Sequence, residues 1–157
     1  MRVLILTAVL AMTVASGLAQ RSAQADQMSP QDPTVLSAMF RWWNGAIDQD
    51  GAFTRDAFAR YYTDDARLVI NNRLVLNGLD QWVSHFRRIQ DETEYVEIRL
   101  PFEEEFQAGD KVFTHHIIWS GSPDRPDKMQ VMGYAELKND KISLINFVRV
   151  PLTGSQP

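Results

Sequence analysis

The chain of 157 residues contains no cysteine, so no disulfide can stabilise it and the fold must rest on packing alone. Basic residues are fewer than acidic ones, 16 against 20, which argues against a nucleic-acid partner because phosphate backbones select basic surfaces. The sequence also lacks an Asn-x-Ser/Thr acceptor, an internal repeat and a low-complexity block. What remains is the composition of an ordinary globular protein with an unusual N-terminus.

That N-terminus has the layout of a secretory signal peptide. Arg2 supplies a positive start, residues 3–15 are mostly apolar, and small residues then offer cleavage after Ala19 or after Ala25. The apolar stretch is short for a membrane anchor, and no basic stop-transfer cluster follows it. We therefore expect residues 1–25 to be a signal peptide. The mature protein is then exported to the bacterial periplasm or the extracellular space, with no membrane attachment after cleavage.

Cleavage after Ala25 leaves 132 of the 157 residues, enough for one domain with a real core and too few for two. Polar residues without a hydrophobic period come first, so residues 26–32 are predicted to be a flexible leader. Residues 33–152 form the predicted domain, and residues 153–157 form a tail.

Three segments of the domain have the hydrophobic period of an amphipathic helix. The first begins at the cap Asp32-Pro33 and ends near Asp48, and the second begins at the cap Thr54 and runs to about Tyr62. The third follows residues 77–78. Its apolar stripe comprises Leu79, Trp82, Val83, Phe86 and Ile89. Off this stripe, toward solvent, lie His85, Arg87, Arg88 and Gln90.

The other segments alternate as β-strands. A short hairpin surrounds Asn71-Asn72, and Pro101 places the strand over residues 94–106 at an edge or a bulge. Three consecutive antiparallel strands follow over residues 112–120, 128–138 and 141–150, joined at residues 121–126 and at Asn139-Asp140. The order α-α-β-β-α-β-β-β-β predicts an α+β fold in which three helices cover one side of a curved antiparallel sheet.

If Lys138 pairs with Lys141, alternation fixes the two faces of the last hairpin. The face expected under the helices carries Met129, Val131, Gly133, Ala135 and Leu137 opposite Val150, Val148, Asn146, Leu144 and Ile142. The other face is edged by polar groups and is free to meet water or a partner. It carries Gln130, Met132, Tyr134 and Glu136 opposite Arg149, Phe147, Ile145 and Ser143. On the covered face Gly133 lies across from Asn146, which predicts empty volume beside one polar group, and hence a pocket.

Three short segments carry a resemblance to a known family: FARYYTDDA at 58–66, GLDQWVSHF at 78–86 and KNDKI at 138–142. In order and spacing they resemble the NTF2-like superfamily, SnoaL-like branch, over about residues 33–151. Asp140 stands where the family usually has a glycine. The resemblance implies a cone-shaped curved antiparallel sheet with three N-terminal helices around a deep apolar pocket, often in a homodimer.

Members of that family include polyketide cyclases, ketosteroid isomerase, scytalone dehydratase and limonene epoxide hydrolase, so the resemblance implies a fold and not a reaction. The isomerase's tyrosine and paired aspartates do not map onto this chain, and neither does the hydrolase's Asp-Arg-Asp set. Ring cyclases commonly carry an acid at the position that aligns with Gly133, and its absence counts against their mechanism.

Two adjacent histidines are the first candidates for chemistry. Neighbours on a strand point to opposite faces, so only one of His115 and His116 can enter the pocket. If Ser120 pairs with Asp127, that residue is His116. A histidine in an apolar cavity can act as a general base near neutral pH. The alternative is a hydrogen-bonded core histidine and a subunit-interface histidine.

Further candidates are weaker. Tyr61 could donate a hydrogen bond to a developing enolate and Asp65 could orient a histidine, although packing and turn formation are the ordinary roles of such residues. The candidate ligand-binding residues are Trp43, Phe58, Tyr62, Trp82, Phe86, Trp119, Val131, Gly133 and Asn146. Aromatic stripes are usually core. We expect no metal, because three converging ligands are missing, and no cofactor.

Three functions stay open on these residues. The favoured one is a secreted small domain that binds an apolar small molecule in the cone pocket, with no activity assigned. The second is a cofactor-independent isomerase, dehydratase or polyketide-cyclase-like lyase that transfers protons on a hydrophobic carbonyl compound, with His116 as the base. The third is a structural homodimer without a ligand.

Overall fold

The computed structural model describes residues 33–152. The predicted signal peptide (1–25), leader (26–32) and tail (153–157) lie outside the described residues. The helices are α1 (Val35–Ala46), α2 (Arg55–Ala59) and α3 (Leu79–Glu92). The strands are β1 (Tyr62–Ile70), β2 (Arg73–Asn77), β3 (Val96–Ile98), β4 (Glu104–Ala108), β5 (Lys111–Ser122), β6 (Arg125–Lys138) and β7 (Lys141–Pro151). This is the predicted α+β arrangement, with one strand more than expected.

The seven strands form one curved, unclosed sheet in the order β2-β1-β7-β6-β5-β3, and β4 also pairs with β5. β1 and β7 are parallel, and the other pairs are antiparallel. The sheet differs from the predicted antiparallel one at this pair, which is possible because β1 and β7 are distant in the chain and not joined by a hairpin. We call the helix-covered side of the sheet the inner face and the opposite side the outer face.

Threonines begin the first two helices. Thr34 caps α1, since its hydroxyl accepts from the backbone N–H of Ser37 at 3.3 Å, and the predicted cap Asp32 lies outside the described residues. Thr54 caps α2 as predicted, with the N–H of Ala57 at 3.1 Å. α2 ends at Ala59 and not near Tyr62, because Tyr62 already pairs with β7 as the first residue of β1.

The predicted strand over residues 94–106 is two strands. β3 and β4 both pair with β5, and the cis peptide bond between Leu100 and Pro101 lies in the segment that separates them. A proline has no N–H to donate to a ladder, which fits its place outside both strands. Pro101 thus marks an interruption of the sheet edge.

The turns have the predicted chemistry. Asn71, Asn72, Asn139 and Asp140 have positive φ angles of 50°, 62°, 51° and 59°, which two-residue hairpin turns of type I′ require. Asn and Asp tolerate this region best after glycine. The loop before β6 is shorter than predicted, since β5 continues to Ser122 and β6 begins at Arg125.

The β6–β7 hairpin starts in the predicted register, with Lys138 paired to Lys141. A bulge at Ser143 then shifts the pairing by one residue, so that Glu136 pairs with Leu144. Because side chains alternate along a strand, this shift exchanges the two faces of β7 from that point onward. The faces of β6 stay as predicted.

The exchange overturns part of the predicted sidedness. Phe147 is buried opposite Gly133, and the predicted pairing of Gly133 with Asn146 is wrong. The residues expected on the inner face but found on the outer one are Leu144, Asn146, Val148 and Val150. Those found instead on the inner face are Ile145, Phe147 and Arg149.

Candidate functional site

The volume beside Gly133 is occupied by the ring of Phe147. A Cβ atom added to Gly133 would lie 2.9 Å from Cδ1 of Phe147 and 2.1 Å from the carbonyl oxygen of Asn146. The φ angle of Gly133 is 153°, which side-chain-bearing residues rarely adopt. Gly133 therefore permits close packing of β7 against β6, and the prediction of an empty volume beneath it is wrong.

His116 points inward, as predicted, and is completely buried. Its ring is surrounded by Phe40, Phe102 and Phe147, with centroid distances of 5.6, 4.9 and 5.4 Å. Its Nδ1 lies 3.1 Å from the hydroxyl of Thr114, and its Nε2 has no hydrogen-bond partner among the described residues. The aromatic rings thus enclose this imidazole on several sides.

Burial, with a smaller contribution from the charge of His115, lowers the pKa of His116 from 6.5 to about 4. The imidazole is therefore neutral at pH 7, the form that a general base needs. A base must also come within hydrogen-bond distance of the substrate proton. His116 has no exposed surface, so a phenyl ring would have to move first. This placement gives His116 the role of a core histidine.

His115 lies on the outer face, half-buried, opposite Glu104 of β4 and Met132 of β6. Its Nε2 is 2.8 Å from Nε2 of Gln130. An amide nitrogen only donates, so His115 accepts at Nε2 and carries its proton at Nδ1. Of the two histidines, His115 is the one that solvent and ligands can reach.

An open groove of about 300 Å³ lies beside His115 on the outer face. Its lining residues are Glu104, Phe106, Phe113, Thr114, His115, Met132, Gly133 and Tyr134. Phe106 and Phe113 stack with their centroids 4.9 Å apart and an angle of 11° between the planes, and the ring of Tyr134 is 5.7 Å from that of Phe113. Three aromatic rings thus form a continuous apolar wall.

Polar groups hold Tyr134 in place at one end of this aromatic wall. Asn146 donates from Nδ2 to the hydroxyl of Tyr134 at 3.2 Å. The ammonium of Lys111 lies 4.9 Å from the centre of the Tyr134 ring and 3.0 Å from the carboxylate of Glu136. The hydrogen bond to Glu136 raises the pKa of Lys111, which stays protonated. These contacts hold Tyr134 in one orientation at the edge of the groove.

Two other catalytic candidates lie apart from the histidines. Tyr61 stacks on Trp42 at 5.4 Å, and the guanidinium of Arg60 lies 5.4 Å from the centre of the Tyr61 ring. Asp65 is exposed on β1, and the hydroxyl of Thr63 is the first cause of its lowered pKa. No hydrogen bond within residues 33–152 joins Asp65 to a histidine. The structure therefore does not assemble the predicted catalytic group.

Most of the predicted ligand-lining residues pack the core instead. Trp43, Phe58, Tyr62 and Trp82 expose 3% or less of their surface and contact one another or Phe86. Tyr62 donates its hydroxyl to the sulfur of a methionine in α1 at 3.3 Å, and burial raises its pKa well above the usual value. Rings that cover one another in this way leave little surface for a ligand.

The last four lining candidates are divided between the faces. Val131 is buried inside. Trp119 lies on the outer face with the guanidinium of Arg99 4.2 Å from the centre of its ring, and Asn146 holds Tyr134 as described. Gly133 alone of the predicted set borders the groove.

Within the described residues, no group of three or more His, Asp or Glu side chains is placed to hold a metal ion. In the same part of the chain, no helix combines the length and the apolar character needed to cross a membrane.

Three helices over a curved, unclosed sheet define an α+β cone. No family model and no curated protein matches the sequence. Solved structures do match. An NTF2-like protein of unknown function from Exiguobacterium sp. 255-15 is 20% identical with a TM-score of 0.58, over 75% of this chain and 98% of that one.

Two further structures are similar. A putative isomerase of the SnoaL-like family from Agrobacterium tumefaciens str. C58 is 10% identical with a TM-score of 0.55, over 72% of this chain and 95% of that one. A protein with a ketosteroid isomerase-like fold from Catenulispora acidiphila DSM 44928 is 15% identical with a TM-score of 0.53, over 78% and 86%. The chain has the NTF2-like fold, as its sequence resemblance implies. At these identities the likeness defines the fold and no reaction.

The groove residues were largely missed as a site from the sequence. Alternation did place Met132 and Tyr134 on the face opposite the helices, and this placement is confirmed. Phe106 and Glu104 lie beside them because β4 pairs with β5. No local pattern indicates that pairing, because the alternation of residues 94–106 predicts a single strand.

Proposed function

We propose that the protein is a non-catalytic binding module that holds a planar, apolar small molecule in the outer-face groove, and not inside the cone. The groove of about 300 Å³ is the observation on which this proposal rests. Small-molecule sites are typically concave, mostly apolar and supplied with a few polar groups, and volumes of about 300 Å³ are at the small end of their range. A ligand of one or two fused rings fits that volume.

The polar groups at the groove define the ligand further. Glu104 is exposed at one side and accepts hydrogen bonds, while His115 presents its Nδ1–H after accepting from Gln130. A planar ligand with one hydroxyl or N–H would stack on Phe113 and donate to the carboxylate. The burial of His116 weighs against the alternative of proton-transfer catalysis inside the cone.

Binding is best tested in two steps. Native mass spectrometry of the protein purified from its own host would show whether a small molecule accompanies it. Calorimetric titration with 2-naphthol, a planar probe with one donor, should give saturable binding that Met132→Lys weakens at least tenfold. Leu74→Lys is the matched control, because Leu74 is also an exposed apolar residue (60%) but lies on β2, at the far edge of the sheet. Equal loss in both variants, or no saturable binding, refutes the proposal.

A homodimer through the outer face is the second candidate. Exposed apolar residues continue from Phe106 of β4, at 58%, across β6 and β7: Met132 at 47%, Val148 at 54% and Val150 at 45%. Monomeric proteins rarely expose apolar patches of this kind without a use for them. Beside this patch, Lys111 is paired with Glu136 and Arg99 with Glu97 within the protomer, which matches the apolar centre and polar rim of protein interfaces.

Light scattering during gel filtration measures this association. We expect a dimer that Val148→Lys converts to a monomer, while Leu74→Lys stays dimeric. A monomeric wild-type protein at about 100 µM excludes the homodimer and leaves the groove as a monomer's site.

Export is a separate proposal, supported by the signal-like layout of residues 1–25. Fractionation of the host followed by N-terminal sequencing tests it. We expect mature protein outside the cytoplasm that begins at Gln20 or Asp26. Protein that begins at Met1 and stays in the cytoplasm would overturn it.

A further inference from the structure

The β7 bulge places an arginine on the inner face, where the sequence pattern does not predict one. Arg149 lies opposite Val131, which is 1% exposed, and Val131 lies opposite His116 on β5. The three residues form one row across the inner face. Arg149 lies near the C-terminal end of β7, and its side chain is exposed. The guanidinium therefore faces the helix-covered side of the sheet.

Helix α3 contributes two more nitrogen-bearing side chains. Nη2 of Arg88 lies 3.1 Å from Nδ1 of His85. A guanidinium only donates, so Nδ1 of His85 accepts, and the proton of the neutral ring is at Nε2. His85 is half-buried against the edge of Phe86, at 5.2 Å between centroids. This arrangement aims an N–H donor away from Arg88.

Arg149 acts on the same histidine. Burial is the first cause of the lowered pKa of His85, and the positive charges of Arg88 and then Arg149 add to it. The geometry agrees, because Asn71 in the turn between β1 and β2 hydrogen-bonds to the backbone of Arg149 at 2.9 and 3.2 Å, and α3 packs against these two strands. Arg88 thus touches a neutral imidazole, and Arg149 lies on the same side of the sheet.

Neither arginine of this cluster forms an ion pair with a carboxylate in the described part of the chain. The ion pairs within residues 33–152 involve Arg55, Arg99 and Lys111, and none involves Arg88 or Arg149. Glu92, one helical turn beyond Arg88, is exposed and makes no such pair. Both guanidinium groups are therefore free of a bound carboxylate within residues 33–152, although the chain has more acidic than basic residues.

Half-buried apolar side chains adjoin the cluster. Phe86 and Ile89 lie on α3 beside His85, and Ile118 pairs with Met129 in the row next to that of Arg149. Phe86, Ile89 and Ile118 pack on the margin of the core and keep some exposed surface. A ligand whose charged group meets the arginines would therefore place its remaining atoms on an apolar margin.

We propose that His85, Arg88 and Arg149 bind the carboxylate of a small organic acid with an apolar body. Guanidinium groups pair with carboxylates through two parallel hydrogen bonds, and the Nε2–H of His85 supplies a neutral donor. The site lies on the inner side of the sheet and is independent of the outer-face groove and of its ligand.

Calorimetric titration of the full mature protein with decanoate tests the site. Decanol, which has the apolar chain but no carboxylate, and inorganic phosphate, which has the charge but no chain, serve as comparison ligands. We expect saturable decanoate binding, with decanol and phosphate each at least tenfold weaker. Arg88→Gln and Arg149→Gln should each weaken decanoate binding about tenfold, and Arg149→Lys should retain part of it. Arg125→Gln, which changes an exposed arginine at the start of β6, is the matched control and should bind like the wild type.

NMR of the wild-type protein tests the site without any variant, and so does not depend on the stability of the variants. In the wild-type protein, decanoate should shift the imidazole resonances of His85 and leave those of His115 in place. Phosphate binding as strong as decanoate binding, equal loss in Arg125→Gln, or an unmoved His85 would each overturn the proposal.

Discussion

Gly133 and Phe147 face each other across the β6–β7 pair, and the phenyl ring of one occupies the space that the absent side chain of the other leaves. The same ring also contacts the buried imidazole of His116 at 5.4 Å between centroids. One glycine thus allows a strand, a phenyl ring and a histidine to pack at close range. The cone interior is closed at the position where the sequence predicts a pocket.

Gly133→Ala is therefore expected to destabilise the fold strongly. The new methyl group would clash with a backbone oxygen at 2.1 Å, and the φ of 153° is unfavourable for alanine. We expect a loss of about 2–4 kcal/mol in the free energy of unfolding, since strain of this type and overpacking each contribute about 1–3 kcal/mol. Urea denaturation measures it. Gly45→Ala in α1 is the control, where a Cβ meets nothing within 4 Å and helix propensity should stabilise by up to about 1 kcal/mol. Similar effects at both glycines would contradict the close packing.

Phe147→Ala should reopen the interior. Removal of a buried phenyl ring costs about 3–5 kcal/mol and leaves an apolar cavity between Gly133 and His116. Such cavities bind small apolar molecules. We expect indole to raise the melting temperature of Phe147→Ala by several degrees and that of the wild type by much less through this site. Indole stabilisation of both proteins to the same extent would show that the ring does not fill the space.

The sequence allowed the architecture to be predicted well and the site poorly, for one physical reason. Alternation and turn residues are local signals, so the number and order of the helices, the Asn139-Asp140 turn and the faces of β5 and β6 are confirmed. The bulge at Ser143 depends on the pairing of β7 with β6, and the hydrophobic periodicity of the sequence does not predict it. That single residue turned Asn146 outward and Arg149 inward. The pairing of β4 with β5, which builds the groove, likewise depends on contacts distant in sequence.

The stability of the protein should fall in mild acid because of His116. Its pKa is about 4 in the folded protein and 6.5 as the reference value, so below pH 6.5 the unfolded chain takes up a proton that the folded chain does not. The stabilising effect of the neutral imidazole is complete above pH 6.5 and is lost progressively as the pH falls toward 4. Linkage gives a loss of about 2 kcal/mol by pH 5 and about 3 kcal/mol by pH 4.

Urea denaturation of the wild type and of His116→Leu at pH 7.5 and pH 5 isolates this effect, because the other titrating groups are common to both proteins. We expect the wild type to lose about 2 kcal/mol more than the variant between the two pH values. His115→Leu is the control and should lose nearly as much stability as the wild type, because burial, and not the charge of His115, is the main cause of the lowered pKa of His116. Parallel losses in wild type and His116→Leu would show that the imidazole is not held neutral by burial.

Two buried tryptophans differ in one hydrogen bond, and substitution of each by phenylalanine should therefore change the free energy of unfolding by different amounts. The indole N–H of Trp82 donates to the carbonyl of Ala66 at 3.0 Å, whereas the indole nitrogen of Trp43 has no partner among the described residues. Both side chains are almost fully buried, at 1% and 3% exposure, so the loss of ring volume is similar. A buried hydrogen bond contributes about 1 kcal/mol, and a buried donor without a partner is itself unfavourable. We expect Trp82→Phe to cost about 1–2 kcal/mol more than Trp43→Phe in urea denaturation. The reverse order would mean that the indole nitrogen of Trp43 is satisfied in solution.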